Sequence, residues 1–93
     1  MNSEKSTSGA PAVRKAVQIL DLLQNSAEQG NAGGESLTTI STALSLPKST
    51  TYRVLTELTG AGYLTLDRPS GRYSLGPRLL SLGHAVRQQS GIL

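Results

Sequence analysis

Thr38-Thr39-Ile40-Ser41-Thr42-Ala43-Leu44-Ser45-Leu46-Pro47-Lys48-Ser49-Thr50-Thr51-Tyr52-Arg53-Val54-Leu55-Thr56-Glu57-Leu58 is the stretch that decides the fold. It holds two helical periods with a break between them. Thr38 is a residue type that caps a helix start, and Ile40, Ala43 and Leu44 share the inner side of a short helix ending at about residue 44. Ser45-Leu46-Pro47 breaks it, because proline disfavours helix in the residue before it and fits the first turn of the next. A second helix is predicted from about 48 to 59, closed by a glycine cap at Gly60 or Gly62. The order helix, tight turn, helix predicts a helix-turn-helix.

Advancing about 100° per residue divides the second helix into two faces. Thr51, Val54, Leu55 and Leu58 fall on the core side. Ser49, Tyr52, Arg53 and Thr56 fall on the other side, and no acid stands among them; Lys48 and Thr50 flank this stripe at the helix N-terminus. The residue types suit duplex DNA. A helix fits the major groove, where each base pair shows its own pattern of donors and acceptors, and arginine can grip guanine there through two hydrogen bonds. Small hydroxyls let the backbone come close and can donate to phosphate. A helix N-terminus adds free amides and a partial positive charge. The shorter helix, begun by Thr38, would brace the longer one against the duplex. The plainer alternative is a solvated face that lacks glutamate.

Upstream, residues 1–11 are polar or small, without apolar period, and read as a disordered tail. Residues 12–24 read as a helix whose inner face carries Val13, Ala16, Val17, Leu20 and Leu23, widened by Ile19 and Leu22 into core or a contact with a second subunit. Residues 25–35, rich in Gly, Asn, Ser and Glu, read as a loop, and Ser36-Leu37 as a short strand. Downstream, residues 63–67 have strand composition, with Leu64 and Leu66 on one side and Tyr63, Thr65 and Asp67 on the other. Arg68-Pro69-Ser70-Gly71 is a turn and residues 72–75 a returning strand, which makes a hairpin with Arg68 and Arg72 at its tip. Such a tip could lie on the DNA backbone or in the minor groove, or it could be an ordinary hairpin with solubilising arginines. A last helix is predicted over about 77–89, with Leu79, Leu82, Gly83 and Val86 as its apolar stripe. The fold class is mainly α with a small β hairpin, a winged helix-turn-helix: a three-helix core and wing over 12–76, then the start of a linker helix over 77–93. The apolar end Gly91-Ile92-Leu93 reads as a fragment of a longer protein.

Composition narrows the function classes. Ninety-three residues make one small domain. With 37% hydrophobic residues, no Phe and no Trp, the core must be built from Leu, Ile, Val and Ala. The absence of cysteine excludes disulfides and thiolate metal sites, and His84 cannot form a zinc site alone. No nucleophile–base pair, metal cluster or phosphate-binding loop is present, so no catalytic, cofactor or metal residues are expected and the chain does not read as an enzyme. No apolar run or signal peptide points to a membrane, and a cytoplasmic protein is expected. The net charge of +3 is unevenly placed. Residues 47–78 hold Lys48, Arg53, Arg68, Arg72 and Arg78 against Glu57 and Asp67, while residues 1–46 are slightly acidic. The excess of positive charge coincides with the helix-turn-helix and hairpin, as a polyanion partner would favour. Arg14 and Lys15 open the first helix as phosphate contacts or as solvated charges. A winged helix used only for protein contacts is the rival to DNA binding.

The run Leu46-Pro47-Lys48-Ser49-Thr50-Thr51-Tyr52-Arg53-Val54-Leu55 resembles the recognition-helix signature of the isocitrate-lyase-regulator (IclR) family of bacterial transcription regulators. Arg14-Lys15-Ala16-Val17-Gln18-Ile19-Leu20 resembles that family's first helix. Gly71-Arg72-Tyr73-Ser74-Leu75-Gly76-Pro77-Arg78-Leu79-Leu80-Ser81-Leu82-Gly83 resembles its second wing strand and linker helix. The resemblance implies an N-terminal DNA-binding domain of a longer regulator, dimeric or tetrameric on its operator, located at the nucleoid, with a small-molecule effector bound by a C-terminal domain absent from these residues. It implies groove contacts by Lys48, Ser49, Thr50, Tyr52 and Arg53. Thr51 departs from the family, which more often has an aliphatic residue there; its inward phase predicts a buried threonine bonded to its own helix. The long 25–35 loop is a second departure.

Overall fold

The structure is a computed structural model that describes residues 10–90. The expected tail at 1–9 and the terminal Gly91-Ile92-Leu93 lie outside the described residues. The elements run α1 (Ala10–Glu28), β1 (Glu35–Ser36), α2 (Leu37–Leu44), α3 (Lys48–Gly60), β2 (Leu64–Asp67), β3 (Arg72–Leu75) and α4 (Pro77–Ser90). The strands form one antiparallel sheet in the order β1-β3-β2. Leu64 faces Leu75 and Asp67 faces Arg72 across the hairpin, while Glu35 faces Tyr73 and Ser36 faces Arg72 across the added edge.

Helix α1 is longer than expected at both ends, taking in Ala10 and Pro11 before residue 12 and continuing to Glu28 rather than ending at 24. Asn25, Ala27 and Glu28 are exposed at that end of the helix, and Gln24 hydrogen-bonds Glu28 one turn on at 3.2 Å. What stops a helix is a left-handed residue, and the first is Gly30, at φ +94°. The Gly30 amide donates to Ala27 O and the Asn31 amide to Ser26 O, the paired bonds of a Schellman cap. Helix α3 ends the same way on Gly62 (φ +90°), whose amide reaches Thr59 O while that of Tyr63 reaches Leu58 O. Of the two glycines expected at this end, Gly62 is the cap and Gly60 lies inside the helix. Helix α2 repeats the device without glycine. Ser45 stands at φ 55°, with its amide on Thr42 O and that of Leu46 on Ser41 O.

The cap at the start of α2 is Ser36 and not Thr38. Ser36 closes strand β1 with extended backbone, the conformation an N-cap needs, and its hydroxyl accepts from the Thr39 amide at 3.1 Å. Thr38 falls inside the first turn and is exposed. Ala43, expected inward, is exposed as well; Ser41 is buried in its place, its hydroxyl donating to Thr38 O at 3.1 Å.

The core is Ile19, Leu23, Ile40, Leu55, Leu64 and Tyr73, with Leu20, Leu22, Leu37, Leu44, Val54, Leu58 and Leu66 packed around it. On α1 the buried line is Ile19 and Leu23, with Val13 and Val17 left 64% and 49% exposed, so the inner face is rotated from the expected one. The helix meets α2, α3 and β3 together, and Ile19 is fully buried in the core they share. Leu64 is buried and Leu66 half-buried while Thr65 and Asp67 are exposed, the alternation expected of this strand, which begins at Leu64 rather than Tyr63.

Gly76 carries the chain from the sheet into α4. A Cβ on it would lie 2.5 Å from Gly62 O and 2.9 Å from Leu64 N, so the two segments pass each other closer than any side chain allows. The Arg78 amide bonds Gly62 O at 3.0 Å, and the Arg78 guanidinium stands 5.8 Å from the centre of the Tyr63 ring, a cation–π contact. Beyond that junction Leu80, Leu82 and Val86 are exposed among the described residues. No helix among the described residues is long and apolar enough to cross a membrane.

Candidate nucleic-acid interface

Helix α3 is anchored from inside. Thr51 and Leu55 are fully buried, and Val54 and Leu58 half-buried. The Thr51 hydroxyl and amide both bond Pro47 O, at 2.9 and 3.0 Å, so the threonine is satisfied within its own helix as expected. With that side fixed, Lys48, Ser49, Tyr52, Arg53 and Thr56 all face out and are exposed, and Thr50 is half-buried beside them. Thr38 is exposed on the first turn of α2.

The wing supplies two arginines in different states. Arg68 opens the 68–71 turn and is exposed. The turn is held by Asp67, whose carbonyl accepts from the Gly71 amide and whose carboxylate accepts from the Ser70 amide. Arg72 is exposed overall, yet its Nη1 donates to Gly34 O at 3.0 Å. Among the described residues Lys48, Arg53 and Arg68 make no ion pair or hydrogen bond within the chain, and all three are exposed.

Tyr73 joins helix and wing. Burial pushes its phenol above the ordinary value of 10.0, the neighbouring Tyr52 phenol adds to the rise, and the Arg68 guanidinium opposes it. Tyr52 on α3 and Arg68 on the wing thus both act electrostatically on the Tyr73 phenol.

Lys15 is a further residue at this surface. The structure lines it up with Thr50, Arg53 and Glu57 along the groove between the start of α1 and α3. Lys15 lies four residues before the buried Ile19 and is itself half-buried, whereas Arg14 is exposed; the period, which favours Val13 and Val17, does not single it out.

Comparison with known proteins agrees with this architecture. The family model of the IclR helix-turn-helix domain matches residues 12–68. The chain is 36% identical over 75 residues to the HTH-type transcriptional regulator XynR of Escherichia coli, covering 81% of this chain and 28% of that protein. It is 33% identical over 85 residues to the HTH-type transcriptional repressor AllR of Klebsiella pneumoniae, covering 91% and 29%. Among solved structures, an IclR transcriptional regulator from Alicyclobacillus acidocaldarius superposes with a TM-score of 0.72 at 35% identity, over 86% of this chain and 30% of that one. The chain thus spans under a third of the length of each of these proteins, which are regulators of transcription by name and not enzymes. With the family matched across the helices and most of the wing, the chain belongs to the IclR family as a winged helix-turn-helix DNA-binding domain.

Proposed function

We propose that this domain binds double-stranded operator DNA in a sequence-specific manner, with α3 in the major groove and the β2–β3 wing on the backbone or in the minor groove. One observation carries this: Ser49, Tyr52, Arg53 and Thr56 are exposed along one side of α3 while Thr51 and Leu55 on the other side are fully buried. Lys48, Ser49, Thr50, Tyr52, Arg53 and Thr56 are the reading edge. Thr38 flanks it on α2, and Arg68 and Arg72 flank it on the wing. The whole protein acts as a dimer or tetramer in the bacterial cytoplasm, at the nucleoid. It answers to a small-molecule effector bound outside these residues.

Duplex affinity measured against salt tests the proposal. Binding should weaken steeply as salt rises, as phosphate contacts displace condensed counterions. A footprint on genomic DNA should then reveal protected sites. If no duplex is bound in a salt-sensitive manner, the proposal fails and a role in protein contacts takes its place.

A further inference from the structure

The side of the wing away from β2 is gripped by the segment that leads from α1 into α2. Strand β1 is two residues long, and its partners are Tyr73 and Arg72 on β3. The turn before it, at 29–34, lies directly on the wing backbone. A Cβ on Gly34, at φ +91°, would be 2.1 Å from Tyr73 O, so this approach is open to glycine alone. Arg72 bridges back across 38 positions to donate to Gly34 O. Glu35 then ties the turn to the end of α1. Its Oε2 accepts from Ser26 Oγ and, at 2.6 Å, from Asn31 Nδ2. Ser36, opposite Arg72, caps α2. The wing is thereby coupled to α1 and α2 through a polar bracket, with Arg72 at its centre.

We infer that Arg72 is a positioning residue for the wing, and that the 29–34 turn with Glu35 holds the wing at the angle at which Arg68 meets the DNA backbone. This rests on the DNA-binding proposal above. One donor of the Arg72 guanidinium is committed to Gly34 O, so its first effect is on where the wing stands.

Charge and bracket predict opposite signs for one substitution, and this makes the test. Glu35→Ala removes an acid, so electrostatics alone tightens duplex binding. Loss of the bracket loosens it. Asp21→Ala, at an exposed acid on α1 that makes no hydrogen bond in the described residues, is the charge-matched control. In the 93-residue chain, with a random-sequence duplex as probe, Glu35→Ala should bind roughly threefold more weakly than Asp21→Ala, with the same salt slope. In the free protein the amides of 72–75 should exchange faster with solvent in Glu35→Ala and Arg72→Ala. Ser26→Ala, which loses one bracket bond at no change of charge, should show the same faster exchange and guards against misfolding of either variant. Glu35→Ala binding as tightly as Asp21→Ala overturns the inference. So does Arg72→Ala with unchanged wing exchange and a salt slope lower by about one, the mark of a direct phosphate contact. If the unaltered chain binds no duplex, the DNA-binding proposal fails, and amide exchange still decides whether the bracket holds the wing.

Discussion

The Thr51 hydroxyl donates to the Pro47 carbonyl at 2.9 Å, one turn back along α3 and in a fully buried position. Pro47 has no amide hydrogen and makes no side-chain cap, so its carbonyl is where the start of the helix is secured. That carbonyl also keeps the Thr51 amide at 3.0 Å, and valine would fill the same volume. Thr51→Val should therefore change unfolding free energy by less than about 1 kcal/mol. Urea denaturation checks this, and a loss above about 2 kcal/mol would mean the hydroxyl bond itself holds the turn.

Ser45 occupies the left-handed region without being glycine. Ser45→Gly should relieve that strain and stabilise the fold by about 0.5–1 kcal/mol, whereas Gly62→Ala should cost about 1 kcal/mol. Thermal or urea unfolding of the two variants should move in opposite directions. A destabilised Ser45→Gly contradicts the account of the cap.

Gly76 has backbone and not flexible side chains around the place a Cβ would take. Gly76→Ala should cost at least about 2 kcal/mol, because no rotamer change relieves the overlap. A variant as stable as the parent would show that the crossing of Gly62 and Gly76 can open without penalty.

On DNA, Arg53 and Arg68 should separate. Arg53→Ala should lower affinity for an operator by roughly 1–3 kcal/mol and relax selectivity, while Arg68→Ala should weaken all sequences alike and reduce the salt slope by about one. Titrations with operator and random duplex at several salt concentrations distinguish them. Unchanged operator affinity in Arg53→Ala would mean that the stripe does not face DNA.

Tyr73 sets an alkaline limit. Its folded-state phenol is raised above 10.0, so the unfolded chain loses that proton first. The stability tied to the neutral phenol is complete below pH 10 and is lost as pH rises through the folded value. The parent should lose stability above pH 10 faster than Tyr73→Phe. Parallel loss in both would assign the alkaline transition to other groups.

The elements written in local pattern were legible in advance. The phase of α3 placed Thr51 and Leu55 inside and Ser49, Tyr52, Arg53 and Thr56 outside, because a helix period depends only on near neighbours. The alternation at Leu64, Thr65, Leu66 and Asp67 was legible for the same reason. What was hidden depends on distant partners. A strand was expected near Ser36, but its pairing with Arg72 and the bond from Arg72 to Gly34 join positions about 35–40 residues apart, which no local period records. Val13 and Val17 fit an inner face by period, yet the true face was set by where α2, α3 and β3 meet α1. The end of α1 is not written in polarity: polar residues near 25–28 suggest a loop, but the stop needs a left-handed residue and comes only at Gly30.

The three tyrosines differ in setting: Tyr73 is in the core, Tyr52 is exposed on the outer side of α3, and Tyr63 lies by Arg78 where α4 departs. The chain contains no tryptophan to drown their emission. Paired Tyr→Phe replacements that leave one tyrosine would turn the intrinsic fluorescence into separate channels: Tyr73 for folding, Tyr52 for the proposed contact with DNA and Tyr63 for the junction with α4.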